Sequence, residues 1–154
     1  MGNWLVKGLR ETAHYECARN LLYQMISINL AINGEESSFI SVNYYDLSKV
    51  ELKLGNFLQA KQFSTKALVI REKVYGIEYP DLALYYSNLA EAEISLNNLV
   101  ESRNLLIKSI AIDKRTYGNE HPNLAIYYSN LGVVEQKSNN LFEHRFSRAS
   151  LALT

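Results

Sequence analysis

Apolar residues recur at helical spacing in two parts of the chain that read almost alike. In the stretch "YGIEYPDLALYYSNLAEAEISLNNL", Leu82, Tyr86 and Leu89 lie three or four residues apart, as residues on one face of an α-helix do. Pro80 suits the first turn of that helix, because a first-turn residue needs no backbone N–H. The pattern predicts a helix that begins near Pro80 and ends at the asparagines of "LNN".

A second helix is predicted directly after this turn. Asn97 and Asn98 are residues that suit a turn, and a left-handed residue there ends the first helix. The apolar face of the second helix includes Leu106, and its span is about residues 99–115, with Gly118 as a stop just beyond its end. The two helices together form a predicted antiparallel hairpin.

The hairpin pattern repeats along the chain with a period of 42 residues. The stretch "YGNEHPNLAIYYSNLGVVEQKSNNL" begins at Tyr117, which is 42 residues after Tyr75, and Gly55 with Asn56 takes the place of the turn in the preceding unit. A single helical hairpin cannot bury both of its apolar faces, so hairpins at a fixed period stack on one another. The sequence predicts one all-α domain over residues 1–154, a right-handed superhelix of seven or eight helices. Its units are about 1–32 (incomplete first helix), 33–74, 75–116 and 117–154 (atypical last helix).

The stretch from Tyr86 to Glu93, "YxxLAxxE", followed by "NNL" and a second helix, resembles the tetratricopeptide repeat, whose signature is W-x2-L-G-x2-Y. The 42-residue period and the "YGxExP" bridge resemble the subclass typified by kinesin light chain. The resemblance implies an α-solenoid of about 3.5 to 4 units that binds other proteins. The family's tryptophan is replaced here by tyrosine, at Tyr44, Tyr86 and Tyr128.

The conventional tyrosine of the first helix is glutamate in three units, at Glu51, Glu93 and Glu135. Buried polar groups are normally hydrogen-bonded. One interpretation is therefore that these carboxylates tilt to solvent or accept hydrogen bonds from tyrosine hydroxyls. The other is that the column contacts a basic ligand.

The concave side of such a superhelix is expected to be lined by the first helices of successive units, so residues 42 apart form ladders along a groove. Asparagine on this face is implied by the resemblance to hold the main chain of a bound peptide, because an amide both donates and accepts. Along the other ladders the type of residue changes from unit to unit. This variation fits either a surface that recognises a specific partner or a surface under no selection. The candidate groove residues are Asp46, Lys49, Lys53, Asn88, Glu91, Ser95, Asn130 and Lys137.

A grip on a C-terminal carboxylate is not expected, because Leu84 and Ile126 are apolar where such a clamp needs basic residues. The groove, flanked by Tyr45, instead suits an internal segment of a partner protein. The alternative function is structural: the incomplete first hairpin and the atypical last one would expose faces through which copies stack end to end, giving a homo-oligomer.

Charge and composition narrow the range of partners. Sixteen basic residues balance sixteen acidic ones, so no net field attracts a phosphate backbone or an anionic bilayer, and nucleic acid and membrane are not expected partners. No apolar stretch approaches the length that spans a membrane. Cys17 is the single cysteine, so an internal disulfide is impossible, and a cytoplasmic location is the expectation.

Catalytic chemistry has no candidate constellation. His14, His121 and His144 occupy unrelated positions of the repeat and show no metal-ligand spacing with Cys17, which is expected to be a small buried thiol. There is no glycine-rich phosphate loop, and the acidic residues form columns rather than a converging pair. The sequence predicts a protein that is not an enzyme and that has no cofactor and no metal.

Overall fold

In this computed structural model the backbone of residues 3–152 is described, together with the side chains of residues 7, 8 and 10–142. That part of the chain contains six helices and no strand, which confirms the all-α class. The helices are α1 (Asn3–Asn33), α2 (Ser38–Leu54), α3 (Phe57–Tyr75), α4 (Leu82–Ser95), α5 (Leu99–Tyr117) and α6 (Asn123–Ala152).

Each helix packs against the next one along the chain, and α4 also contacts α2 and α6 along one side. This arrangement is an α-solenoid. The core is centred on α4, where Leu82 and Ala90 are fully enclosed, and it continues through Leu106 of α5 to Tyr127 and Val134 of α6. The helix α4 therefore contributes most of the core, while α2, α4 and α6 follow one another along one side of the molecule.

Two of the predicted turns are formed by residues in the left-handed region of backbone space. Gly55 ends α2 with φ of 80°, and Asn97 has φ of 63° in the turn after α4. The next residue is an asparagine in both turns. Nδ2 of Asn56 donates a hydrogen bond to Oε2 of Glu51 at 2.7 Å, and Nδ2 of Asn98 donates to Oε2 of Glu93 at 2.6 Å. The predicted hairpins α2–α3 and α4–α5 are therefore present. In each of them, a glutamate near the end of the first helix accepts a hydrogen bond from the turn.

The glutamate column also links successive hairpins. Glu51 and Glu93 are buried, and Nζ of Lys61 on α3 lies 2.7 Å from Oε1 of Glu93 on α4. One period later, Nε of Arg103 on α5 lies 2.9 Å from Oε1 of Glu135 on α6. The prediction of tilting to solvent or of bonding to tyrosine hydroxyls is wrong for Glu93, because a turn amide and a lysine from the preceding hairpin occupy its carboxylate. Both oxygens of the Glu93 carboxylate thus have partners within the protein.

The first unit is a single helix instead of a hairpin. The 42-residue register places Ala13 and His14 where Gly55 and Asn56 form a turn. Alanine and histidine have no special preference for ending a helix, and alanine favours continuing it. The helix α1 therefore runs without interruption from Asn3 to Asn33.

The last unit is also a single helix, although Asn139 and Asn140 would suit a turn. The register places Arg148 where Leu106 is fully enclosed in the α4–α5 hairpin, and enclosing an unpaired guanidinium costs more than a turn gains. The helix α6 therefore continues to Ala152. The prediction of seven or eight helices is therefore wrong, because the first and the last unit each form one uninterrupted helix. The side chains of His144 and Arg148, the replacements that make this unit atypical, lie outside the described part.

Candidate binding groove

A cleft of about 360 Å³ opens on the side of the solenoid where α2, α4 and α6 meet. Its apolar walls are Leu52, Ile94 and Val133, one from each of the three helices. The polar residues of its lining are Lys49, Lys53, Glu91, Ser95 and Asn130. All five of these polar residues belong to the candidate groove set, so the structure brings most of that set together.

Two of the candidate residues make contacts between α4 and α6. Nδ2 of Asn130 donates a hydrogen bond to Oε1 of Glu91 at 3.3 Å, and Nζ of Lys137 donates to the backbone carbonyl of Ile94 at 3.4 Å. Both side chains are half-buried. These contacts fix the distance between the two helices, and they hold the Glu91 carboxylate at the side of the cleft.

Asn88 lies in the core beneath the cleft and not on its surface. Its Nδ2 donates hydrogen bonds to the hydroxyl of Ser48 on α2 and, at 3.1 Å, to the hydroxyl of Ser64 on α3. The register replaces these two serines by Ala90 and Leu106 in the next unit, so Asn130 lacks the same partners and turns to Glu91 instead. Two asparagines at one repeat position therefore have different roles, and the serines that decide this were visible in the sequence.

Asp46 lies on α2, one turn before Lys49, and its side chain is only partly exposed. Partial burial raises the pKa of its carboxyl, and the neighbouring Lys49 opposes this shift. The ring of Tyr45 lies 4.8 Å from that of Tyr85, and Nζ of Lys49 sits 5.4 Å above it. Burial, with Glu91 as the next cause, raises the pKa of Tyr45 to about 12. Tyr45 thus flanks the charged residues as expected, and Tyr85, which the sequence pattern did not single out, supports its ring.

Both signs of charge are present around the cleft, with two ammonium groups on α2 and one carboxylate on α4. Lys49 and Lys53 are exposed, whereas Glu91 already accepts a hydrogen bond from Asn130. The exposed charged groups of the cleft are thus mainly donors, set beside an apolar surface.

The residues that carry chemistry elsewhere do not converge on this cleft. Within the described part of the chain, no three side chains of the types that ligate metals form a group that fits an ion. Nδ1 of His121 lies 2.7 Å from Oδ2 of Asp113, and its ring stacks on Tyr117 at 4.4 Å, so this histidine braces the α5–α6 connection. Cys17 is exposed on α1, and the prediction of a buried thiol is wrong because none of the described side chains covers that side of α1.

None of the helices, as far as the described residues extend, combines the length and the apolar character that crossing a bilayer requires.

The model of the family described as "Tetratricopeptide repeat" matches residues 39–105 and 84–141 of this chain. These two matches overlap and together extend from α2 into α6. No curated protein matches the chain.

Solved structures resemble the chain over most of its length. A crystal structure of BtubC (BKLC) from P. vanneervenii has a TM-score of 0.74 and 18% sequence identity, covering 92% of this chain and 58% of that one. A putative kinesin light chain from Podosopora anserina, described as having nearly identical TPR-like repeats, has a TM-score of 0.75 and 21% identity, covering 88% of this chain and 65% of that one. A variant of that fungal protein has a TM-score of 0.75 and 20% identity over the same shares of the two chains. These likenesses show the fold, and the chain spans about three fifths of the length of those proteins.

Proposed function

This chain belongs to the tetratricopeptide repeat family, and from that premise we propose that it is a protein-interaction module. It holds a segment of a partner protein in the cleft between α2, α4 and α6. Repeat domains of this kind present extended concave surfaces to their partners, and they are generally scaffolds and not enzymes. The proposal includes a cytoplasmic location, supported by a single cysteine whose thiol is exposed.

The observation that carries the proposal is the convergence of five candidate residues on one cleft. Lys49 and Lys53 come from α2, Glu91 and Ser95 from α4, and Asn130 from α6. These residues are far apart along the chain, and only the stacking of the repeats brings them together. Asn88 is left out of the proposed site because its amide is used within the core.

The chemistry of the cleft favours a peptide of a particular type. Leu52, Ile94 and Val133 offer an apolar surface for one or two apolar side chains. The ammonium groups of Lys49 and Lys53 favour a carboxylate nearby. We therefore expect the preferred ligand to be a segment that carries an acidic residue next to an apolar one, bound from within a longer chain.

A selection from a library of random displayed peptides tests the proposal directly, because it lets the cleft choose its own ligands. We expect the selected peptides to be rich in acidic and apolar residues, and their affinity to fall as salt is added. The variant Lys49→Glu with Lys53→Glu should bind them at least about tenfold more weakly, which corresponds to roughly 1.4 kcal/mol.

The matched control reverses two exposed lysines away from the cleft, Lys7 on α1 and Lys108 on α5. It has the same change in net charge as the cleft variant, and we expect it to bind as the wild type does. Equal binding by the cleft variant and the wild type, or equal losses in both variants, would show that the cleft is not the binding site.

A further inference from the structure

One face of α1 is apolar and uncovered in the described part of the chain. Leu21, Met25, Ile28 and Ile32 follow one another at intervals of four, three and four residues, and all are exposed. This spacing places them on one stripe of the helix. The stripe points away from α2, because Ile26, on the other side of α1, is the buried residue.

The repeat shows what a face of this kind contacts. Moved forward by two periods, Leu21 and Ile28 correspond to Leu105 and Ile112 of α5. Leu105 is 4% exposed and Ile112 is 8% exposed, against 60% for Leu21 and 58% for Ile28. On α5 these positions lie in the hairpin that α5 forms with α4. The stripe on α1 is therefore the face that a second helix presents to the first helix of its own hairpin.

The opposite end of the solenoid has the complementary face. Tyr128 on α6 is 46% exposed, whereas its equivalent on α4, Tyr86, is 7% exposed. Ala125 and Gly132 are also exposed on α6, although the equivalents of both are enclosed on α4. The helix α6 thus presents the face that a first helix shows to the second helix of its hairpin.

The intact α2–α3 hairpin shows how these two faces fit together. The ring of Tyr44 on α2 stacks on that of Phe63 on α3, with 5.8 Å between centroids. In the 42-residue register Tyr44 corresponds to Tyr128, and Phe63 corresponds to Leu21. The faces on α6 and α1 are therefore the two halves of one hairpin interface, at opposite ends of the same molecule.

The C-terminal half of α6 is a poor substitute for α1 in that interface. In the register, Ser147 and Arg148 take the positions of Leu105 and Leu106, whose side chains are enclosed in the α4–α5 hairpin. The stripe on α1, in contrast, keeps apolar residues: Leu21 and Ile28 take the positions of Leu105 and Ile112. The better-matched second helix for α6 is thus α1 of another copy.

We propose that copies of this chain associate head to tail, with α6 of one copy packed antiparallel on α1 of the next. The two helices have 30 and 31 residues, so each is about 45 Å long and offers several turns to the contact. The contact restores a hairpin of the same type as α2–α3, and the solenoid continues from one copy into the next. A head-to-tail contact leaves a free face at each end, so assembly proceeds beyond two copies.

Three proteins test this arrangement. The first is the wild type, the second carries Leu21→Glu with Ile28→Glu on α1, and the third carries Ala125→Glu with Tyr128→Glu on α6. Mass is measured by light scattering over a range of concentrations. The wild type should grow past a dimer as concentration rises, and each variant alone should remain at the monomer mass of 17.6 kDa.

A mixture of the two variants is the decisive sample. The α1 variant keeps an intact α6 face and the α6 variant keeps an intact α1 face, so one such pair forms and then cannot grow. We expect twice the monomer mass and nothing larger. Val100→Glu, on an exposed valine of α5 outside both faces, should assemble as the wild type does, and circular dichroism should show unchanged helix content in all variants.

Three outcomes would overturn the proposal. The first is a wild type that stays monomeric at every concentration. The second is an α6 variant that dimerises alone, which would indicate pairing of two α1 faces. The third is a mixture of the two folded variants that remains monomeric. None of these results bears on the cleft, so this proposal and the proposed function stand or fall separately.

Discussion

The ammonium group of Lys61 lies 2.7 Å from Oε1 of Glu93, a carboxylate that belongs to the next hairpin and is almost fully enclosed. The equivalent pair one period later, Arg103 with Glu135, has side chains that are 57% and 44% exposed. One repeat position thus provides both a buried and an exposed version of the same ion pair. Comparing the stability lost when each pair is broken separates the effect of burial from the effect of the ion pair itself.

Replacing Lys61 by methionine should lower the free energy of unfolding by about 1–2 kcal/mol, because it leaves an enclosed carboxylate with only the Asn98 amide. The value is below that of a fully buried pair, since the Lys61 side chain is 38% exposed. Urea denaturation measures it. Arg103→Met is the matched comparison and should cost less than about 1 kcal/mol. Equal losses would mean that burial of the carboxylate does not matter.

Replacing Asn88 by alanine should destabilise the protein by about 1–2 kcal/mol, because the change removes two hydrogen bonds in the core and leaves a small void. Asn130→Ala should change the unfolding free energy by no more than about 0.5 kcal/mol, since its single bond to Glu91 lies at the edge of the cleft. Thermal melts of the two variants provide the comparison. An Asn88→Ala variant as stable as the wild type would contradict the assignment of this amide to the core.

Replacing Asn97 by glycine should stabilise the protein by about 0.5–1 kcal/mol, because the backbone at this position is left-handed with φ of 63°. The opposite change at the equivalent turn, Gly55→Ala, should cost about 1 kcal/mol, since φ there is 80° and alanine is strained in that region. Chemical denaturation measures both variants. A gain from Gly55→Ala would show that the α2–α3 turn tolerates another conformation.

Tyrosine ionisation should make the fold sensitive to alkaline pH. The pKa of Tyr45 is raised in the folded state from 10.0 to about 12, chiefly by burial, so the folded protein holds this proton more tightly than the unfolded chain does. The corresponding stabilisation is complete below about pH 10 and is lost as the pH rises to about 12. Absorbance titration of tyrosinate checks this in the wild type and in Tyr45→Phe. The variant should lack an ionisation near pH 12, and an unchanged titration curve would refute the assignment.

The hairpins of the middle of the chain were predictable from the sequence, whereas the ends were not. Turn residues, apolar spacing and the 42-residue period all agree between residues 38 and 117, and the structure has α2 to α5 there. At α6 the turn residues Asn139 and Asn140 conflict with Arg148, and the cost of enclosing a charge decides against the hairpin. Local turn preference is a weak signal when the helix that follows has lost its apolar face.

The groove was predictable as a face but not residue by residue. Repeat register relates Lys49, Glu91 and Val133, which line one cleft, because positions 42 apart occupy equivalent sites on neighbouring hairpins. It did not show that Asn88 is enclosed, since that depends on serines from two other helices. Tyr85 was equally hard to identify, because its importance comes from the Tyr45 ring that it contacts from the next hairpin.

The concentration of the core on α4 has a consequence for how the molecule opens and closes. Nearly every residue of that short helix is enclosed by its neighbours, so it cannot separate without disrupting α3 and α5 as well. Amide hydrogens of α4 should therefore exchange with solvent only through global unfolding, and those of α1 and α6 should exchange through fraying from either end. We therefore expect folding to begin at α4 and its neighbours, with each further helix stabilised by the one that it packs on.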